Sequence, residues 1–352
     1  MTLNAELTDM RAVYLRPAGV QRWPVRERAE RLDALAGAGI DTVVTKLRAA
    51  EGPFAAECRA RGLRLVGSFG CFIDHALPAE IPPQLRPVDE HGRVFEPMRW
   101  YHGVIPTSTW YLEALTDELR AVLDNTEADG VVLDFIRWPC HWELELRPGA
   151  TWRRSSFDPI TLTRFNEHLA SLGEPGIDPA DPVRAAATVR DRLAATWEEF
   201  RCDVVADACR RLTDVVTASG RWAGAFIVPA TDELRRAAVG QDTRKLGEIV
   251  DVLLPMTYHA ALQRPASWLA IIGADIVATT VTPDGKPAGP PVVTMVQGPA
   301  TEDHWGVSPG SPDFAHALST AMTWQDHGSG FCVFPGDEFG PDELAAISEH
   351  RR

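Results

Sequence analysis

Short β-rich runs alternate with amphipathic helical stretches eight times along the chain, and no other feature restricts the fold as much. The apolar runs fall at 12–15, 41–47, 63–69, 130–136, 222–228, 250–256, 291–296 and 330–334. Helical patterning marks 25–38, 54–61, 108–123, 160–172, 183–218, 243–248, 267–272, 314–325 and 341–350. The runs are close to continuously apolar, as in parallel strands covered on both faces. Eight such units predict an α/β fold, a (β/α)₈ TIM barrel. Two doubly wound domains would alternate in the same way, but no run is followed by G-x-G-x-x-G or G-x-x-x-x-G-K-[ST]. No linker composition divides the chain. The expectation is a single barrel domain over 1–352, with loop insertions at 71–107 and 137–182 on the active-site face.

Charge narrows the partners. The 352 residues carry 35 Lys+Arg against 49 Asp+Glu, a net charge of −14. Counterion release on nucleic acid and docking on anionic lipid both need a basic surface, so neither nucleic acid nor membrane is an expected partner. No stretch is long and apolar enough to span a bilayer. The opening MTLNAELTDM lacks the basic start and apolar core of a signal peptide. None of the six cysteines forms a C-x-x-C pair. Reduced thiols and a cytoplasmic location are the expectation.

In such barrels the chemistry sits at the C-terminal ends of the strands. The fourth strand and its exit, DGVVLDFIRWP (129–139), place Asp134 and Arg137 in an otherwise apolar run. A buried ion pair gains little over apolar packing, so a functional role is the better reading of this pair. Just beyond come His141, Trp142 and Glu143. They suit a sugar, since aromatic faces stack on pyranose rings and carboxylates accept from hydroxyls; an exposed loop with an anchor tryptophan fits them equally. Lys46, alone after Val43, Val44 and Thr45, also reads as functional, with Arg48 beside it. Asp74 and His75 follow the third strand, Tyr258 and His259 end the sixth, Gln297 ends the seventh, and Asp337 and Glu338 follow the eighth. Asp232 and Glu233 follow the fifth, but T-D-E-L reads as a helix start, as in part does the segment at Asp337. Trp100, Trp110, Trp138, Trp142 and Trp152 fall in or beside the insertions, where they either stack on ligand or pack the loops down. There is no G-x-S-x-G, S-x-x-K or H-E-x-x-H, and no histidine pair with metal spacing. Neither a metal nor a cofactor is expected.

Taken together, these segments resemble the glycoside-hydrolase-like (β/α)₈ barrels of the "family 10 glycosyl hydrolase-like" group. DGVVLDFIRWP resembles its D-G-[IV]-x-L-D-[YF]-[IV]-R-[YFW]-P motif. Val88–Arg93 resembles its D-x-x-G turn, and Ile105-Pro106-Thr107-Ser108 its C-P-[TS] step. Phe157-Asp158-Pro159 with Leu162-Thr163-Arg164-Phe165 resembles the helix after strand four. Val239-Gly240-Gln241-Asp242 and the 250–258 run resemble V-G-Q-D and V-D-x-[IVL]-x-P-M-x-Y. The order is kept across most of the chain. The chain departs at Ile105, where a cysteine is common, and near Ser155 and Ser156, where relatives often carry cysteines. The resemblance implies a carbohydrate substrate and matches Asp134 to the strand-four carboxylate proposed as catalytic, with Arg137 and Tyr258 as motif polar residues.

Glycosidic cleavage takes two carboxyl groups, one ionised and one protonated. Lys46 and Arg137 are expected to hold Asp134 ionised, as nucleophile or stabilising carboxylate. Glu338, Glu143, Asp74 and Glu233 are candidates for the acid, with Glu338 and Glu143 preferred because both follow strand ends in aromatic or Gly-containing loops. Substrate binding is assigned to Lys46, Asp74, Arg137, Trp138, His141, Trp142, Tyr258, Gln297 and Asp337. The expected partner is a carbohydrate or glycoside small molecule. Without the secretion signal of many relatives, a small intracellular glycoside is favoured over extracellular polysaccharide. Two alternatives stand beside this reading. One is a lyase or isomerase using Lys46 as Schiff base or general base; the other is an inactive barrel that only binds sugar.

Overall fold

The computed structural model describes residues 3–73, 76, 77, 80–96, 101–280, 289–299, 313–323 and 330–350. Eight strands form one closed parallel barrel in sequential order. They are β1 (Arg11–Tyr14), β2 (Thr42–Lys46), β3 (Arg64–Gly70), β4 (Gly130–Asp134), β5 (Trp222–Ile227), β6 (Val252–Thr257), β7 (Thr294–Gln297) and β8 (Phe331–Phe334). This is the predicted (β/α)₈ barrel, with strand limits within three residues of the sequence reading.

Side chains alternate across each strand, so each strand feeds two layers. Val13, Val43, Leu65, Val131, Ala225 and Leu253 face outward into the shell shared with the helices. Ala12, Val44, Val66, Val132, Leu254, Met295 and Cys332 fill the barrel interior, and Leu7 and Met10 close its base. The same alternation turns Tyr14, Lys46, Ser68 and Asp134 inward at the strand ends. Lys46 sits opposite Ser68, and Asp134 opposite Gly70. An apolar plug beneath and a polar layer above is how the sequence positions a site.

The helices start as their chemistry predicts. Ser108 caps Thr109–Leu123 by accepting from Tyr111 N, and Asp158 caps Pro159–Ser171 by accepting from Thr161 N. The single helix expected over 183–218 is instead Pro182–Thr188, a π-turn at Val189–Leu193, then Ala194–Ala218. The helix expected at 267–272 continues, as Trp268–Thr279. The one at 314–325 is described from Phe314 to Thr323, and its last two residues lie outside the described residues.

Several of the resembling motifs have structural duties. Gly240 ends its helix in a left-handed conformation (φ 66°), and a Cβ there would meet Trp138 Cδ1 at 2.6 Å. Buried Gln241 accepts from Val228 N at 2.8 Å and donates to Phe226 O at 2.9 Å and Ile136 O at 3.3 Å. It thereby ties the ends of β4 and β5 together. Asp89 accepts from the backbone of His91 and Arg93 and closes its turn.

Candidate active site

The barrel mouth is organised by an ion pair between neighbours-but-one. Lys46 Nζ lies 3.3 Å from Asp134 Oδ2, across β3, whose Ser68 Oγ is 3.5 Å from the same oxygen. The Lys46 side chain is 40% exposed and that of Asp134 15%, so both open to the mouth. Tyr14 adds a hydroxyl from β1, hydrogen-bonded with Lys46 and Ser68. Burial pulls the Lys46 pKa down, but Tyr14 and Asp134 outweigh it, and the net shift is upward. Lys46 is therefore an ammonium at neutral pH. Tyr14 is raised, chiefly by burial, and keeps its proton.

The chain leaving β4 is strained and held. Phe135 adopts a left-handed backbone (φ 53°), which is costly for a bulky residue, about 1–3 kcal/mol. Asp134 O accepts from Cys71 N at 2.8 Å, and Phe135 O accepts from Phe72 N and Arg137 N. Asp134 Oδ1 takes the Phe135 amide at 3.0 Å. These bonds fix the orientation of the carboxylate.

Arg137 does not pair with Asp134. It is buried, donating from Nη1 to Trp138 O (3.3 Å) and Cys140 O (2.9 Å), and its guanidinium covers Tyr101 and Phe135 at 5.3 and 5.2 Å. Arg137 is 3% exposed, and the partners of its Nη1 are carbonyls of its own turn rather than the Asp134 carboxylate. It shapes the turn that carries Glu143. That residue lies in the short helix Trp142–Glu145 and is 5% exposed. Burial raises its carboxyl from 4.5 to about 7. Arg137 opposes the rise, and Asp134 and Glu145 add to it. Its Oε2 is buried and has no hydrogen-bond partner among the described residues. Glu143 and Asp134 thus sit within each other's electrostatic reach with different surroundings.

Glu338 and Asp337 occupy another setting. Arg16, just past β1, binds Asp337 through Nε and Nη2, both at 2.7 Å, and Glu338 through Nη2 at 2.5 Å. Arg16 also donates its backbone N–H to Asp337. Burial opposes the Arg16 charge, yet the two carboxylates raise its pKa overall. Glu338 therefore lies against a cation, which works against the protonated role considered for it. Asp337 is 4% exposed and tethers β8 to β1 rather than starting a helix.

Aromatic rings pack together around the strand ends, with Tyr258 and Trp142 buried among them. Tyr258 stacks on Phe334 at 5.3 Å, lies 5.8 Å from Trp142, and is raised well above its usual range, chiefly by burial. Phe334 meets Tyr14 edge-on at 5.0 Å. His141 packs edge-on against Tyr101 at 4.7 Å, and burial, then Arg137 and Arg153, lower it to about 3, so it is neutral. Gln297 is fully buried, and its Oε1 accepts from Ala261 N at 3.0 Å. Trp138 is the clearest departure from expectation. It is completely buried, donates Nε1–H to Arg201 O at 3.0 Å and packs against Gly240, which leaves no face for a sugar. Asp74, His75 and Trp100 lie outside the described residues.

The sequence reading missed Tyr14 and Ser68 and did not anticipate the clamp made by Arg16. Strand alternation was the available signal: Tyr14, Lys46, Ser68 and Asp134 all fall on inward positions. Among the described residues no group of three or more His, Cys, Asp and Glu is placed to hold a metal ion. No described helix is long and apolar enough to cross a membrane.

The fold is a (β/α)₈ barrel with Lys46 and Asp134 paired at its strand ends and Glu143 buried within electrostatic reach of Asp134. No protein-family model and no curated protein matches the sequence. Solved structures match the fold. The PgaB (BpsB) glycoside hydrolase domain from Bordetella bronchiseptica superposes with a TM-score of 0.66 at 13% identity, covering 96% of this chain and 98% of that one. The catalytic domain of β-amylase from Paenibacillus polymyxa gives 0.59 at 10% identity, covering 97% and 98%. A chitinase from Chromobacterium violaceum gives 0.50 at 12% identity, covering 98% and 100%.

Proposed function

We propose that this protein is a glycoside hydrolase of the glycoside-hydrolase-like barrel group, with Asp134 and Glu143 as its working carboxyl groups. One observation carries the reading: two carboxyls within electrostatic reach of each other stand in opposed environments. Asp134 is paired with the Lys46 ammonium and opens to the mouth, as suits a nucleophile, base or charge-stabilising carboxylate. Glu143 is buried and pushed up to about 7, as suits an acid that must still hold its proton near neutral pH. The fold shared with glycoside hydrolase domains supports the same reading.

The residues divide the work as follows. Glu143 delivers a proton to the glycosidic oxygen as the bond to the anomeric carbon breaks. Asp134 meets the positive charge that develops on that carbon, from the ring face or through an activated water. Lys46, Ser68 and the Phe135 amide keep Asp134 in place, and Arg137 holds the turn bearing Glu143. Phe334 offers an apolar ring face, with Tyr258 and Trp142 packed behind it, and His141, Gln297 and Asp337 brace the loops around them. This chemistry calls on no metal or cofactor. The substrate we propose is a small glycoside or oligosaccharide. The buried free thiols of all six cysteines favour a reducing, cytoplasmic setting. A Schiff-base or general-base lysine needs a lowered pKa, and Lys46 has the reverse, which disfavours the lyase or isomerase alternative.

Leaving-group dependence tests the assignment. Glu143→Gln should still cleave 2,4-dinitrophenyl glycosides, whose leaving group departs without a proton. Alkyl glycosides should lose about 10²–10⁴-fold in rate. Equal losses on both would remove Glu143 as the acid.

A further inference from the structure

Away from the mouth, a groove of about 600 Å³ lies between the first turns of helices Thr109–Leu123 and Pro159–Ser171. Those helices follow β3 and β4, so their N-termini stand on the strand-end face that carries Lys46 and Asp134. The volume falls within the roughly 300–1,000 Å³ of small-molecule sites. Thr109, Thr163, Arg164 and Glu167 contribute to its walls. Arg164 is anchored by donation from Nη1 to Thr107 O at 3.2 Å. A fixed guanidinium and a carboxylate on one groove supply donors and acceptors with balanced charge. That suits a neutral polyhydroxylated ligand, whereas a phosphate would be repelled by Glu167.

A second observation is independent of the groove. Trp110, one residue after Thr109 in the same first turn, is 49% exposed. Side chains on a helix lean toward its N-terminus, which sets this indole on the strand-end rim. Of the five tryptophans in or beside the insertions, Trp138 and Trp142 are buried. Trp152 is half-buried under Arg154, and Trp100 lies outside the described residues. About half of Trp110 stays open to solvent, unlike Trp138 and Trp142. An exposed indole face is a surface on which a pyranose ring stacks.

We propose that this rim is a second glycan-binding site, separate from the mouth, that holds a distal part of an oligosaccharide by stacking on Trp110 and hydrogen bonding to Arg164 and Glu167. The ligand class rests on the glycosidase reading; the location does not. The test titrates hexasaccharides of β-1,4-glucose, α-1,4-glucose and β-1,4-N-acetylglucosamine into the wild type, Trp110→Ala and Arg164→Ala. A panel of 4-nitrophenyl monosaccharides runs beside them. At least one hexasaccharide should bind the wild type, and each variant should weaken it about tenfold. Turnover of any active 4-nitrophenyl monosaccharide should stay within about twofold of wild type, because neither residue touches the mouth. Hexasaccharide affinity unchanged in both variants, or no hexasaccharide bound by the wild type, would overturn the proposal. Loss of binding in the variants without turnover of any glycoside by the wild type would uphold this site and sink the glycosidase reading instead.

Discussion

Replacing Glu143 with glutamine should stabilise the protein at alkaline pH and leave it almost unchanged at acidic pH. The carboxyl is buried and its pKa is raised from 4.5 to about 7. In the unfolded chain it ionises at its ordinary value. A raised carboxyl favours the folded state fully below the unfolded pKa, and that advantage is lost as pH rises through the folded one. Above about pH 7 the native protein must either keep a proton or bury a charge with Asp134 and Glu145 nearby. At 1.36 kcal/mol per pKa unit, the difference amounts to about 3 kcal/mol. Glutamine keeps the shape and cannot ionise. Urea unfolding of both proteins at about pH 4 and about pH 8 reads the effect as a difference of differences. The variant should gain about 3 kcal/mol relative to wild type between the two conditions, while losing activity. A difference between the proteins that is the same at both pH values would refute the raised pKa, and with it the claim that Glu143 is poised to donate a proton.

Two further outcomes follow from the same geometry. The alkaline limb of the wild-type pH–rate profile should lie near 7, since Glu143 must be protonated to act; Arg137→Met, by deleting a cation that opposes the rise, should move that limb to higher pH, whereas Arg137→Lys should leave it in place. Gly240→Ala should destabilise the fold by about 2–4 kcal/mol in thermal or urea unfolding, because it combines a left-handed backbone with a Cβ at 2.6 Å from Trp138.

The barrel was legible because parallel strands covered on both faces are written as uninterrupted apolar runs, which helices and loops punctuate. For the same reason Asp134 and Lys46 stood out: each is a charge at the C-terminal end of its strand, after residues that carry none. The sequence pointed to Lys46 near Asp134 but not to the geometry of the pair. That geometry depends on closure of the sheet, which sets β2 and β4 on either side of β3, while Arg137 donates to the carbonyls of its own turn. Tyr14 read as one more apolar strand residue, because its hydroxyl matters only once Lys46 and Ser68 stand beside it. Trp138 misled for a related reason. A tryptophan in an insertion suggests stacking on sugar, but its partners are Gly240 and the Arg201 carbonyl, far along the chain. The choice between Glu143 and Glu338 turned on neighbours the sequence does not display: burial for the one, Arg16 for the other.

The most direct test of the central claim is release of 4-nitrophenol from a panel of 4-nitrophenyl glycosides by the wild type and by Asp134→Asn. The wild type should turn over at least one of them, and a folded Asp134→Asn protein should lose about 10²–10⁴-fold of that rate. Turnover that survives the substitution would contradict Asp134 as a working carboxyl, and the absence of turnover by the wild type across the panel would contradict the glycosidase reading.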